Sequence, residues 1–402
     1  MHRWLFFMLA VFLTPGLRGQ DNATSEAGRL DQIQEQRLKR AESLGSSQQS
    51  PIVEKQGGIG HIIQRLPVYF DVGGLGPGAG PAINTEFRKT SESGRLSGAL
   101  FGHLAVQEFY TVGTRAQLRY VPAHDLMVGL EGYHSDAPQL EYYGPGPNSS
   151  IQNRTNFRRE DTVLDFRVGL KTHHDLAESC RLGQVWLNVG PGTNDDLPTT
   201  QSVFGPAQAP GIDNQSNYLI GGCSLQLDLR DFPEDPRHGT YAGATFDRYY
   251  AESINRFSFY RLSPVGEQYI PFFNRKRVIA LRAMAELSFH SSDQVVPFYL
   301  QPTLGSDTEL RGFRRYRFYD ENSLSLTAEY RWEIGIGFEM AAFVDGGNVF
   351  HSPGEIVSTD LQSSVGFGLR FKNQNERRVV ARLDIGFSRE GTQVWLKIPR
   401  LF

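Results

Sequence analysis

From about residue 66 to the C-terminus, apolar positions recur at every second residue, the period of a β-strand whose two faces meet different surroundings. The pattern is clearest late in the chain. Across 323–332, Leu324, Leu326, Ala328, Tyr330 and Trp332 share one face, against Ser325, Thr327, Glu329 and Arg331. Ile336, Phe338, Met340, Ala342 and Val344 alternate with Glu339, Phe343 and Asp345. Residues 361–371 set Val365, Phe367, Leu369 and Phe371 against Ser364, Gly366, Gly368 and Arg370. Residues 379–387 oppose Val379, Leu383, Ile385 and Phe387 to Arg382 and Asp384, and 393–402 oppose Val394, Leu396 and Ile398 to Trp395 and Lys397. Short turns such as 90–94 and 372–376 interleave with long polar loops near 135–160, 191–216, 289–322 and 346–360.

Alternation alone does not say which face meets water. A soluble sandwich turns its apolar face inward, whereas a membrane barrel turns it to lipid and keeps charge in the lumen. Three observations choose the barrel. The strand-and-turn pattern runs through 63–402 with no helical segment, too long for one sandwich domain. Asp165, Arg167, Asp228, Arg282, Glu286, Glu329, Arg331, Glu339, Asp345, Arg370, Arg382, Asp384 and Lys397 fall in one parity class, an inner face of balanced charge. Short turns against long loops are the asymmetry of outer-membrane barrels, and closure leaves no exposed strand edge. The expected fold is all-β, a transmembrane antiparallel β-barrel behind a short N-terminal helical and linker segment.

The N-terminus sets the compartment. His2 and Arg3 precede an apolar run over 4–13, Thr14 and Pro15 break it, and Gly19 offers a small residue for cleavage. That is the layout of a secretory signal peptide, 1–19. Residues 20–62 follow as a periplasmic helix and linker: 26–44 have helical composition with Leu30, Ile33, Ala41 and Leu44 near one face, and a helix there could also plug the lumen. No later stretch approaches the ~20 continuous apolar residues that a membrane helix needs. Forty-two Gly and 12% aromatic residues suit short strands and polar turns. Without Arg3 and Arg18, 39 basic residues face 44 acidic ones, which argues against nucleic acid as a partner. Two cysteines are too few for a disulfide scaffold. Cys180 reads as part of a polar connection and Cys223 as mid-strand, at different depths, so no bridge between them is expected.

Residues 304–313 read L-G-S-D-T-E-L-R-G-F inside the longest late loop, and 343–347 read F-V-D-G-G. These two pieces resemble the paired signatures of the BamA/TamA superfamily, the bacterial surface antigen barrels. The resemblance implies sixteen strands and a sixth outer loop that folds back into the lumen. Its Arg311 would reach Asp345, with Gly312 and Phe313 completing the tip. A forked, permanently charged guanidinium suits a carboxylate in a partly dry interior. Gly312 would allow either a positive φ or a close approach to the wall. Residues 227–241 (L-D-L-R-D-F-P-E-D-P-R-H-G-T-Y) resemble the family's turn before its ninth strand. Residues 142–149 (Y-Y-G-P-G-P-N-S) resemble its third outer loop, and 328–331 (A-E-Y-R) suit the strand after the R-G-F loop. Members that handle proteins carry periplasmic POTRA domains, and 20–62 is too short for one. Phe402, with Ile398, Leu396 and Val394 at alternate positions before it, fits the C-terminal strand signal that insertion machinery pairs with; Arg400 departs from that pattern.

Other chemistry is sparse. Residues 74–80 (G-L-G-P-G-A-G) lack the helix that a phosphate cradle needs and read as a loop joining the first two strands. The pair His173-His174 with Asp175 reads as a polar turn rather than a metal site. No G-x-S-x-G, H-E-x-x-H or P-loop pattern occurs. The expectation is a monomeric, non-enzymatic protein without cofactor or metal, embedded in outer-membrane lipid. Its job would be protein insertion or translocation, with a separate periplasmic partner; the alternatives are passage of solutes through a gated pore and, third, an outer-membrane enzyme such as a lipase or protease assembled from distant strands.

Overall fold

The computed structural model describes residues 68–74, 81–120, 125–173, 175–273, 275–335, 337–355, 361–373 and 378–398. The chain divides into two units, 1–67 and 68–402, and every described residue lies in the second. The signal peptide, the 26–44 helix, the 75–80 loop, Arg400 and Phe402 therefore fall outside the described residues.

Sixteen strands form one antiparallel sheet in which each pairs with its sequence neighbour. They are β1 (Val68–Gly74), β2 (Pro81–Thr90), β3 (Leu96–Ala105), β4 (Tyr110–Tyr120), β5 (Leu126–Tyr142), β6 (Thr155–His173), β7 (Leu176–Pro191) and β8 (Tyr218–Asp228). The order continues through β9 (Gly239–Ala251), β10 (Phe259–Phe272), β11 (Arg277–Phe289), β14 (Asn322–Gly335), β15 (Phe338–Phe350), β16 (Gln362–Asn373), β17 (Arg378–Ser388) and β18 (Gly391–Lys397). A two-stranded hairpin, β12 (Thr303–Leu304) and β13 (Phe318–Tyr319), sits apart inside the long loop 290–321. The first and last strands, β1 and β18, come within 8 Å of one another between Cα atoms, so the sheet curls until its ends meet.

Period-two burial explains why these residues form this wall. Along β16, every second residue from Gln362 to Lys372 is buried and the residues between are exposed. The exposed set is apolar, with Leu100, Leu104, Leu182, Phe367, Val394 and Leu396 among it. The buried set includes Asp165, Asp247, Glu329, Glu339, Asp345, Arg370 and Asp384. A soluble protein would show the reverse, so the outer face is built for lipid. Aromatic rings cluster at both edges of that face, as they do at membrane interfaces. At the short-turn end Tyr330 stacks on Phe272 and Trp332 at 5.8 and 5.2 Å, and at the other end Phe246 stacks on Tyr260 at 5.6 Å.

Three sequence readings need correction. The loop expected over 135–160 shrinks to 143–154, because β5 and β6 extend well past the ~9–11 residues that cross a bilayer. Cys180 lies within β7, not in a connection. It is also the register partner of Cys223 on β8, at 4.0 Å between Cα atoms, and the two form a disulfide on the outer face. Equal depth, not different depth, is what the pairing of β7 with β8 imposes.

Above the tall strands the long loops pack into an apolar cap. Tyr142 is its centre, with the rings of Phe204, Phe298 and Tyr319 edge-on at 5.1, 5.2 and 4.9 Å. The loop 143–154 docks on the returning end of 290–321: Gly146 N–H donates to Tyr319 O at 2.7 Å, and Tyr319 Oη donates to Glu141 O at 2.8 Å. Arg317 is buried between Tyr143 and Phe318 and donates to Ser149 O and to Glu390 in the β17–β18 turn, at 2.5 and 2.8 Å. Apolar burial of this kind orders loops that would otherwise carry large conformational freedom.

Candidate functional site

The loop 290–321 enters the lumen as well as capping it. Its tip is positioned by sequence in two ways. Leu310, at φ +49°, and Phe313 turn inward to a small apolar cluster with Leu304, Phe318 and Val349, which anchors the tip on either side of Arg311. Gly312 then lies against the wall: a Cβ there would stand 2.7 Å from Ser364 Cβ and 2.8 Å from Phe387 O. Its glycine is required by close approach rather than by a positive φ. On the wall side, a Cβ at Gly386 would come 2.3 Å from Arg311 O, so both surfaces give up a side chain for the contact.

Arg311 is 2% exposed and satisfied on every side. Its Nε and Nη2 donate to Asp345 Oδ2 and Oδ1 at 3.1 and 2.9 Å, a forked pair, and its backbone N–H adds a third bond to Oδ2 at 3.0 Å. Nη1 donates to Glu329 Oε2 at 2.8 Å and meets Asp384 Oδ2 at 3.4 Å. The guanidinium plane rests on the Phe343 ring, 3.3 Å from its centroid. Asp345 is completed by Thr327 Oγ1 and Ser364 Oγ at 3.0 and 3.2 Å. Isolated, each charge would be costly to bury; forked and hydrogen-bonded, they fix one geometry.

The last hairpin holds the tip from the other side. Trp395 Nε1 donates to Arg311 O at 2.7 Å, and Ser388 Oγ donates to Gly312 O at 2.7 Å. Lys397 Nζ stands 3.5 Å from Asp307 Oδ2. Around Glu329 gather Arg331 and Arg370, at 2.6 and 2.7 Å from Oε1. The structure thus brings together Arg311, Gly312, Phe313 and Asp345. Of the terminal-strand residues, Leu396 projects outward from β18 at 66% exposure, and Ile398 follows directly after the strand.

Glu329, Asp384, Trp395 and Ser388 were not identified as tip contacts from sequence. Their signal was inward parity. A cavity of about 280 Å³ remains between the loop stem and β11 and β14, lined by Met284, Glu286, Leu304, Glu309, Tyr316 and Ser325 among others. No group of metal-ligating side chains occurs among the described residues.

A sixteen-stranded barrel, a loop tip folded into its lumen and a buried Arg–Asp fork define a narrow class of proteins. The model of the Omp85 superfamily domain matches residues 130–374, more than half of the chain. The chain belongs to the Omp85 superfamily. Among solved structures, BamA from Haemophilus ducreyi lacking POTRA domains 1-3 is similar at 14% identity and a TM-score of 0.61, over 83% of this chain and 69% of that one. CdiB from Escherichia coli is similar at 14% identity and a TM-score of 0.51, over 83% of this chain and 62% of that one. No curated protein matches. This Omp85 barrel is an integral protein of the outer membrane, so its long loops face outward and its short turns face the periplasm.

Proposed function

We propose that this Omp85 barrel inserts proteins into, or moves them across, the outer membrane, in a non-enzymatic role and with periplasmic client handling shared with a separate partner. What supports the reading is the tip itself: Arg311 sits inside the barrel on Asp345, Glu329 and Asp384, with the last hairpin gripping its backbone. A loop anchored to β15 through β18 is set to respond when those strands move, which a passive pore does not require.

A gated solute pore is the competing reading, and half-exposed inward-parity arginines such as Arg115 and Arg167 favour it. Depleting the chain and quantifying outer-membrane and surface proteins separates the two. Loss of a defined set of clients, with periplasmic proteins co-purifying with the barrel, is the expected result. Unchanged client levels together with slowed uptake of small solutes would replace the proposal with the pore.

A further inference from the structure

The periplasmic turn 229–238, between β8 and β9, does not hang below the barrel. It reaches across the sheet to β15 and β16, four and five places beyond β9. Asp235 accepts from Lys372 Nζ on β16 at 2.7 and 2.8 Å, and Arg237 Nη2 donates to Glu339 on β15 at 2.8 Å. The turn is stiff enough to hold this reach. Asp231 Oδ1 accepts from the backbone N–H of Phe232, Arg237 and His238, at 3.0, 2.9 and 3.1 Å. Arg230 ties the turn's start to Asp228 and Glu267, at 2.7 and 3.0 Å.

From Lys372 a line of buried charges continues to the tip. Lys372 Nζ meets Glu339 Oε2 at 2.7 Å, Glu339 Oε1 faces Arg370 Nη1 at 3.5 Å, Arg370 Nη2 meets Glu329 Oε1 at 2.7 Å, and Glu329 Oε2 accepts from Arg311. Every link but one is a hydrogen-bonded ion pair. At the exception, Glu339 Oε1 and Arg370 Nη1 are each buried without a hydrogen bond. That joint is where the line can part with least loss, because neither atom gives up a formed bond.

We propose that the turn 229–238 is a periplasmic gate, and that the Asp235–Lys372–Glu339–Arg370–Glu329 line couples its seating to the hold on Arg311. Withdrawing Asp235 leaves Lys372 short of a counter-charge in the lumen. Lys372 then draws Glu339 away from Arg370, and Arg370 in turn competes with Arg311 for Glu329. A periplasmic partner pressing on this turn would thereby loosen the outer loop without touching it. Coupling of this kind needs a network of alternative pairings, not mere proximity, and the Glu339–Arg370 joint supplies one.

The coupling holds whether the cargo is a protein or a solute, so its test is independent of the function proposed above. A spin label at Thr308→Cys reports the tip in the full-length protein in bilayers, with the native disulfide intact. Asp235→Asn is expected to shift the label's spectrum toward its mobile component, Asp235→Glu to restore it, and Glu333→Gln, at the exposed side of Arg237, to leave it unchanged. Folding of each variant is verified by its compact, heat-modifiable band on a gel. A folded Asp235→Asn protein whose label keeps the wild-type spectrum would overturn the coupling. So would a Glu333→Gln protein whose label loosens equally.

Discussion

At the scale of residues, Arg311 is held by more than one acid, and this decides what a single substitution does. Asp345 accepts three bonds from Arg311 and two from hydroxyls, while Glu329 and Asp384 share the remaining guanidinium edge. Asp345→Ala therefore removes the fork but leaves the charge paired. Breaking a buried pair typically costs about 3–5 kcal/mol, and the remaining carboxylates place this case toward about 3. The urea midpoint of the purified barrel should fall accordingly, with Asp345→Asn in between. An Asp345→Ala barrel that unfolds at the wild-type midpoint would deny the fork any part in stability. The Arg311–Asp345 pair was legible in the sequence because both residues lie in recognisable short motifs and Asp345 has inward parity. Glu329 had the same parity and a place in A-E-Y-R, yet parity names a face and not a height. Trp395 as a tip contact was out of reach, since nothing local to β18 tells where a distant loop will end.

At the scale of elements, the late strands were readable because lipid-facing residues there are uniformly apolar. The tall strands were under-read for a physical reason. Past the membrane, the outer parity of β5 and β6 turns polar: His134 and Asp136 continue the face of Leu130, and Arg158 and Glu160 that of Phe166. Arg158 pairs with Asp136 in a bidentate contact at 2.9 and 2.7 Å, so water-facing strand resembles loop in sequence. The disulfide was hidden by register, which the 192–217 loop leaves free until β7 and β8 pair. Closing a separation of 43 residues, it should stabilise the barrel by about 2–4 kcal/mol through the unfolded chain. Cys180→Ser should lower the urea midpoint and abolish the mobility shift on reduction, and a gel indifferent to reductant would show the bridge is not formed. The loop cap has its own pH signature. Burial pushes the Asp320 carboxyl up to about 6, against a backbone N–H bond from Glu321 and the nearby His351 that pull it down, with Glu321 and Glu355 adding to the rise. A raised carboxyl favours the folded cap below its ordinary value near 3.8 and loses that contribution as pH climbs through about 6. Hydrogen-exchange protection factors in the 316–321 segment, corrected for the intrinsic pH dependence of exchange, should therefore fall between pH 4 and about 6, and Asp320→Asn should flatten that slope. The same slope in the variant would assign the effect to another group.

At the scale of the whole molecule, contacts cross the Omp85 barrel at both ends. The cap around Tyr142 covers the outer end, the 229–238 turn reaches across the periplasmic end, and the tip of 290–321 is fastened between them. The class of fold was readable from period, balanced inner charge and loop asymmetry, and the large sheet has sixteen strands among the described residues. What sequence did not show is that loop, turn and last hairpin meet on one charged seam of the wall. The central claim is that the tip rests in the lumen against the last strand in the native membrane. Zero-length carbodiimide cross-linking of the unmodified protein in outer-membrane vesicles, read by mass spectrometry, tests it directly. An amide joining Lys397 to Asp307, whose charged atoms stand 3.5 Å apart, is the expected product. Vesicles in which Lys397 is reactive yet never joined to Asp307 would contradict the account.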